Sequence, residues 1–227
     1  MNILFIDSAT EACTAALWCR GEIVSDFEMT PRGHAQRLLP MAEQLMAEAG
    51  IRYSELDLIG FGRGPGSFTG VRIATACAQG IALGLDVPMV GVSSLATLAQ
   101  GQVSRLIELG VVGPIHAAID ARMGEVYYAA FLSGDEGLVV SVGPEQVIAP
   151  EVLLERSDWS GGLATGTGFG RYPALTQWGE WAAIVPEALP HARDAILLAA
   201  AVPRTEWIDP ADAAPIYLRD NVAAVRG

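Results

Sequence analysis

The amino-acid sequence predicts an α/β protein made of two similar halves, each a βββαβα unit. Two observations support this. Short apolar runs with strand character alternate with longer segments of helical periodicity along the chain. The order of these segments also begins again near residue 115, as in an internal repeat. We therefore expect two subdomains, residues 1–103 and 104–227, on either side of a cleft, with the last segment packing back on the first subdomain.

The first half begins with three short strands joined by tight connections, which predicts an antiparallel meander. Helices and strands then alternate, and Leu38, Met41 and Leu45 have the spacing of one helix face. The predicted strands are Ile3–Asp7, Cys13–Trp18, Glu22–Glu28, Leu58–Phe61 and Met89–Val92, and the predicted helices are Gln36–Glu48 and Thr69–Leu83.

The second half repeats this order after a helix at Ser94–Gly101. Its predicted strands are Ile115–Ile119, Glu125–Leu132, Leu138–Val142 and Leu163–Thr165, and its helices are Pro150–Arg156 and Ala192–Ala201. Both halves carry an Ile-Asp pair near the end of their first strand, which makes Asp7 and Asp120 equivalent. A duplicated unit of this kind is the architecture of the actin, sugar kinase and Hsp70 (ASKHA) superfamily, in which these aspartates face the cleft.

The composition limits the class of protein. The chain of 227 residues has a net charge of −12, with 14 basic against 26 acidic side chains, so a basic groove for nucleic acid is hard to build without a partner. Three cysteines without a CxxC pair fit reduced thiols in the cytoplasm. The N-terminus lacks a signal-peptide pattern, and the apolar run at 195–202 is too short to span a membrane. We expect a cytoplasmic protein without membrane contact.

The segment GFGRGPGSFTGVRI at 60–73 allows two interpretations. Glycine-rich turns that lead into a helix can bind phosphate, because free N–H groups and the helix dipole point the same way. Gly64, Gly66, Ser67 and Gly70 could supply that geometry, but the lysine of a Walker loop is absent. The alternative is a tight strand-to-helix turn, with Ser67 or Thr69 as the N-cap.

A catalytic alternative would use the cleft. Asp7 and Asp120 could hold Mg²⁺ beside a nucleotide, which would make the chain a phosphotransferase or carbamoyltransferase. Against this, Ala9 stands where nucleotide-binding relatives of the superfamily place a glycine. A metallohydrolase or glycoprotease lacks its usual motif, since His34, His116 and His191 form no HxxxH or HExxH pattern. No GxSxG segment is present either.

The second predicted helix is unusually poor in large side chains. Ala76, Gly80 and Gly84 recur every four residues, among further alanines. Each glycine inside a helix costs roughly 1 kcal/mol relative to alanine, so its presence asks for a packing reason. Small residues on more than one face predict that another helix, from this chain or another, approaches closely.

Seven segments, which together span nearly the whole chain, resemble one family. They are IDSATEACTAAL from Ile6, HAQRLLPM from His34, GRGPGSFTGVRIA from Gly62, VSSLATLA from Val92, AIDARMGEVYYA from Ala118, GTGFGRYP from Gly166 and APIYLRDNVA from Ala214. In these segments the chain resembles the TsaB (YeaZ) family of tRNA threonylcarbamoyladenosine (t6A) biosynthesis proteins.

The resemblance implies a subunit without catalytic residues, cofactor or metal. It implies a heterodimer with TsaD, the transferase that modifies the adenosine next to the anticodon, and the ATPase TsaE in the same complex. It further implies a homodimer when the chain is alone, and tRNA contact only through the complex. In the family, the first two helices form the pairing surface. Mapped onto this sequence, they give as interface candidates Leu38, Met41, Leu45, Arg72, Ala76, Gln79, Gly80 and Leu83. The spacing leaves open which of these residues face outward.

Overall fold

The computed structural model describes residues 1–30, 33–134, 136–156 and 161–219. Two sheets organise the described residues. The first contains β1 (Ile3–Asp7), β2 (Ala12–Cys19), β3 (Glu22–Met29), β4 (Leu58–Gly64) and β5 (Met89–Ser93). Its connecting helices are α1 (His34–Ala49) and α2 (Phe68–Leu85), and α3 (Ser94–Gln100) and α4 (Val103–Glu108) lead to the second sheet.

The second sheet contains β6 (Ile115–Arg122), β7 (Glu125–Ser133), β8 (Val139–Ser141), β10 (Leu163–Thr165) and β11 (Ala183–Val185), while β9 (Gln146–Ile148) pairs with β7. Its helices are α5 (Pro150–Leu154), α6 (Thr167–Arg171) and α7 (Pro173–Thr176), and α8 (Ala192–Ala201) follows the last strand.

The strand order confirms the duplicated α/β architecture. The first sheet has the order β3-β2-β1-β4-β5, and the second has the matching order β8-β7-β6-β10-β11. In both sheets the first three strands form an antiparallel meander, and the next two strands are parallel to the first. The two halves are therefore copies of one ASKHA-type unit, which we call the first and second lobes.

The first sheet is covered on both faces, which explains why its central strand is apolar from Ile3 to Ile6. Leu4 and Ile6 pack against α1 and α2 on one face. Ile3 and Phe5 point to the other face and pack against α8. Because successive residues of a strand face opposite ways, a central strand between two helical layers is apolar at every position.

The packing divides the chain differently from the predicted boundary at residue 103. Leu95 and Leu98 of α3 belong to the core of the second sheet, together with Ile115 and Phe131. Helix α8 and the bridge-forming Ile208 after it lie on the first lobe. Each lobe thus contains helices from both predicted subdomains.

Candidate functional site

The glycine-rich segment before α2 packs tightly against the turn after β1. A Cβ atom on Gly66 would lie 2.2 Å from the carbonyl oxygen of Ala9, and one on Gly70 would lie 2.0 Å from that of Ser8. The Ser67 N–H donates to the Ala9 carbonyl at 2.7 Å, and the Ser8 hydroxyl donates to the Gly70 carbonyl at 2.9 Å. These glycines permit backbone contact between two loops of the first lobe.

This packing favours the turn interpretation over a phosphate cradle. The Ser67 side chain is the N-cap of α2 and accepts from the Gly70 N–H at 3.4 Å. One N–H that a phosphate would need is bonded to Ala9, and the Ala9 methyl group is itself packed against Gly66. The segment therefore fixes where α2 begins and how it is oriented.

Asp7 lies away from the cleft between the lobes. Its side chain is buried and lies against β4, where a Cβ on Gly62 would be 2.1 Å from the Asp7 carboxyl carbon. The carboxylate accepts from the Ala9 N–H at 2.7 Å, but desolvation outweighs this bond and raises the pKa of Asp7 to about 6. The glycine at position 62 leaves room for this carboxylate.

Asp120, by contrast, lines the cleft and is already engaged. Its carboxylate accepts from the backbone and guanidinium of Arg122 at 2.9 and 3.0 Å and from the Tyr172 hydroxyl at 3.3 Å. Asp7 and Asp120 hold equivalent places in the two lobes but do not share a site. The geometry gives no support to the predicted Mg²⁺ pair, and the expectation that both aspartates face the cleft is wrong for Asp7.

The cleft has a volume of about 440 Å³ and is lined by residues from six of the seven segments that carry the family resemblance. Ion pairs cross it. Arg122 of the second lobe bonds Glu11 of the first at 2.9 Å, and Arg219 of the C-terminal segment pairs with Glu125. The cations of the cleft are thus neutralised by the chain's own carboxylates.

Helix α2 has a second, exposed apolar face. Its buried face, which includes Ala74, Ala78 and Ala82, packs on the first sheet. The residues on the opposite side span an arc of about 120° at 3.6 residues per turn. We call this side the α2 face; its members are Phe68, Arg72, Ala76, Gly80 and Leu83.

The α2 face has a large apolar side chain at each end and bare backbone at Gly80, and Gly84 lies beside it. Phe68 is 51% exposed and Leu83 is 61% exposed. A Cβ on Gly80 or Gly84 would meet nothing within 4 Å, so neither glycine is required by packing within the chain. An exposed apolar strip with no internal reason for its glycines is typical of a contact surface.

Helix α2 also passes a length and composition test for a membrane span, among the described residues. Core helices of soluble proteins pass the same test, and α2 is packed along the first sheet through its alanines. Of its residues 33% are buried, and others, including those of the α2 face, are exposed. The apolar surface left over is the α2 face.

The structure separates the eight predicted interface residues into three groups. Arg72, Ala76, Gly80 and Leu83 lie on the exposed α2 face. Gln79 is half-buried, and its amide donates to the carbonyls of Pro210 and Ala213 at 2.8 and 3.0 Å. The remaining three are buried in the first lobe: Leu38, Met41 and Leu45.

Leu38, Met41 and Leu45 are therefore not exposed on an outer surface; the sequence left open which of the eight candidates face outward. Helix α1 has a single apolar stripe, which packs against the first sheet, because burial of that stripe holds an amphipathic helix in place. Its outer side carries Leu39, Glu43 and Ala47 instead. Helix α2 is apolar on several sides, so burial of one side leaves another exposed.

Sequence reasoning missed two aromatic residues at the N-terminal end of the α2 face. Phe68 and Tyr217 have their ring centroids 5.9 Å apart, and Tyr217 is 44% exposed. Tyr217 lies in APIYLRDNVA, whose last four residues fall outside the described residues. The position of Tyr217 in one of the segments that resemble the family was the signal that could have identified it.

The three histidines have separate surroundings. His34 bonds the Thr10 carbonyl at 2.9 Å, and His191 caps α8. His116 lies in an aromatic cluster with Tyr128, where desolvation lowers the pKa of the imidazole to about 4. Over the part of the chain that the structure describes, no three His, Cys, Asp or Glu side chains are grouped as metal ligands.

Fold and site together define the class of this protein. It is a duplicated ASKHA-type chain whose glycine-rich segment serves helix packing and whose second helix presents an exposed apolar face. The family model for TsaD, tRNA N6-adenosine threonylcarbamoyltransferase, matches residues 28–166.

Individual relatives give the family. The tRNA threonylcarbamoyladenosine biosynthesis protein TsaB of Escherichia coli K12 is 41% identical, over 98% of this chain and 96% of that protein. TsaB of Haemophilus influenzae is 35% identical over 98% and 95%. The solved structure of YeaZ from Pseudomonas aeruginosa superposes with a TM-score of 0.84, at 41% identity, over 96% of this chain and 99% of that one. The chain belongs to the TsaB (YeaZ) family.

Proposed function

We propose that this protein is a non-catalytic subunit of the t6A biosynthesis machinery, which binds and activates a TsaD transferase through the α2 face. Its near full-length relatives are named for t6A biosynthesis. The observation that carries the docking claim is the exposed strip of Phe68, Ala76, Gly80 and Leu83 on a helix of which only a third is buried.

The fold supports TsaD as the partner. This chain matches the TsaD family model over residues 28–166, a range that contains α1 and α2. A relative built on the same unit offers corresponding helices, so the two chains can pair side by side as two copies of one chain do in a two-fold dimer. The same surface serves a homodimer when the transferase is absent.

The remaining roles belong to the partners. A net charge of −12 leaves the phosphate backbone of tRNA to the more basic members of the complex, and TsaE provides ATP hydrolysis. The cleft of this chain is bridged by its own ion pairs, and Ser67 and Ala9 occupy the place of a phosphate loop. The complex works on tRNA in the cytoplasm.

Reconstitution tests the function. The chain alone should neither hydrolyse ATP nor modify tRNA. Addition to TsaD, TsaE and the enzyme that forms the threonylcarbamoyl adenylate, all from the same organism, should restore t6A formation. If these matched partners form t6A equally well without the chain, or fail to form it with the chain, the proposal is wrong.

A charged side chain on the α2 face tests the surface. Gly80→Arg adds a long cation where a Cβ meets nothing within 4 Å, so the isolated fold should persist while co-purification with TsaD is lost. Gly143→Arg is the matched control, because this glycine is also exposed and unobstructed but lies outside α2. Equal co-purification of both variants with TsaD would show that the docking surface lies elsewhere.

A further inference from the structure

A cation at the N-terminal end of the α2 face lies over one aromatic ring and beside a second. The guanidinium carbon of Arg72 lies 3.3 Å from the ring centroid of Phe68 and 5.0 Å from that of Tyr217. Both rings are about half exposed, so the stack lies at the surface. Guanidinium groups that stack on aromatic faces are held in one orientation and keep the N–H groups along their edge free to donate.

The second ring comes from the C-terminal segment, which is fastened along α2. Ile208 forms an antiparallel bridge with Met89, and the Gln79 amide holds the carbonyls of Pro210 and Ala213. The Ile216 N–H then donates to the Arg63 carbonyl at 2.8 Å, which places Tyr217 beside Phe68. Gln79, one of the predicted interface residues, positions this segment.

Arg72 has no carboxylate within ion-pair distance among the described residues. Five of the twelve arginines that the structure describes form such an ion pair, and Arg72 is among those that do not. Helix α2 itself contains no Asp or Glu between Phe68 and Leu85. An ordered, uncompensated cation therefore stands on an otherwise apolar surface.

We propose that Phe68, Arg72 and Tyr217 form an acid-binding clamp, and that the TsaD partner docked on the α2 face places a carboxylate of one of its side chains against Arg72. The inference rests on the proposed function and adds the chemistry of the contact. Arg and aromatic side chains are the residue types that dominate binding energy at protein interfaces. A guanidinium already held by two rings loses little freedom when it binds, and its edge matches a carboxylate in a bidentate geometry.

Binding of TsaD from the same organism, measured by calorimetry at several NaCl concentrations, tests the clamp. Arg72→Gln should raise Kd about tenfold to a hundredfold, because a hydrogen-bonded ion pair shielded by the interface is lost. It should also flatten the dependence of Kd on salt, since the charge attraction is gone. Arg72→Lys should keep the salt dependence but bind less tightly than the native chain. Tyr217→Leu should weaken binding by removing one of the two rings.

Arg204→Gln is the matched control, since Arg204 also lies over an aromatic ring, that of the partly buried Trp207 at 5.1 Å, but belongs to the segment after α8. It should bind TsaD like the native chain. Thermal melts establish that each variant is folded. A charge exchange completes the test: Arg72→Glu should lose binding and regain it with a partner in which one acidic residue of its docking helices is changed to lysine.

The outcomes separate this inference from the proposed function. Native-like binding of Arg72→Gln together with lost binding of Gly80→Arg overturns the clamp and leaves the docking surface in place. Weaker binding of Arg72→Gln with an unchanged salt dependence shows that Arg72 acts by packing, which also overturns the carboxylate contact. If Arg72→Gln loses self-association but still binds TsaD like the native chain, the clamp contacts a second copy of this chain, and the proposal is overturned. Native-like TsaD binding by both Arg72→Gln and Gly80→Arg would show that neither the docking surface nor the clamp is correct.

Discussion

Replacement of Gly80 by alanine should raise the stability of the isolated chain and weaken its docking. Gly80 lies inside α2, and a Cβ at this position meets nothing within 4 Å. The isolated chain therefore gains the full difference in helix propensity, about 0.8–1 kcal/mol, without a steric cost. For a chain of this size, this gain corresponds to an increase in Tm of about 2–4 °C.

The same methyl group should oppose docking. If a partner helix approaches the backbone at Gly80, an added methyl group overpacks the contact and costs about 1–3 kcal/mol. This raises the Kd for TsaD by roughly five- to 150-fold. Circular dichroism melts of the isolated chain and calorimetric titration with TsaD measure the two effects, with Gly143→Ala as the control for binding.

The opposite signs make the result decisive. A more stable variant with unchanged affinity would show that Gly80 does not lie at a close helix contact, and the reason given for this glycine would be wrong. A variant without a gain in stability would show that the position is not open in the isolated chain. Only higher stability together with weaker docking agrees with an exposed small-residue face that a partner covers.

Three further predictions follow from buried and exposed groups. Because burial raises the pKa of Asp7 from 3.8 to about 6, the folded state holds a proton that the unfolded state has released. The free energy of unfolding should therefore fall by about 3 kcal/mol as pH rises from about 4 to 6, and level off above that; urea unfolding of Asp7→Asn should lack this fall. Leu38→Ala should cost about 2–5 kcal/mol of stability without a specific effect on docking, because Leu38 is buried. Leu83→Ala should change stability by less than about 0.5 kcal/mol and raise the Kd for TsaD, because Leu83 is exposed. The reverse pattern would contradict the burial of Leu38. Glu145→Ala should lower the free energy of unfolding in urea by about 1–2 kcal/mol, because it leaves the half-buried Arg63 guanidinium without its bidentate partner. An unchanged midpoint would show that this ion pair between the lobes does not stabilise the fold.

Much of the secondary structure could be predicted because it repeats a local pattern. The strands Ile3–Asp7 and Leu163–Thr165 and the helix Ala192–Ala201 have the predicted bounds. Helix α4 and strands β9 and β11 were not predicted, nor were the short helices α6 and α7. These elements have three to six residues, which is less than two turns of helix or a few strand positions, so they show no periodicity to recognise.

The sequence predicted the cleft between the lobes, but not which of its two equivalent aspartates faces it. Chain duplication placed Asp7 and Asp120 at equivalent positions, and the matching strand orders confirm this. Whether each carboxylate faces the cleft depends on its neighbours. Asp7 lies over β4 because residue 62 is a glycine, whereas Asp120 is held at the cleft by Arg122 and Tyr172. Those contacts join residues far apart in sequence.

The order of residues is enough to establish the α/β class, the duplication, the family and the unusual smallness of α2, because each of these is recorded in spacing or in contiguous segments. The outward face of each helix is not recorded in the same way. A stripe of Leu38, Met41 and Leu45 looks the same whether a sheet of the same chain or another chain covers it, and only packing assigned it to the first lobe. The stack of Phe68, Arg72 and Tyr217 likewise required the fold, because it depends on the C-terminal segment returning along α2 to a residue far away in the chain.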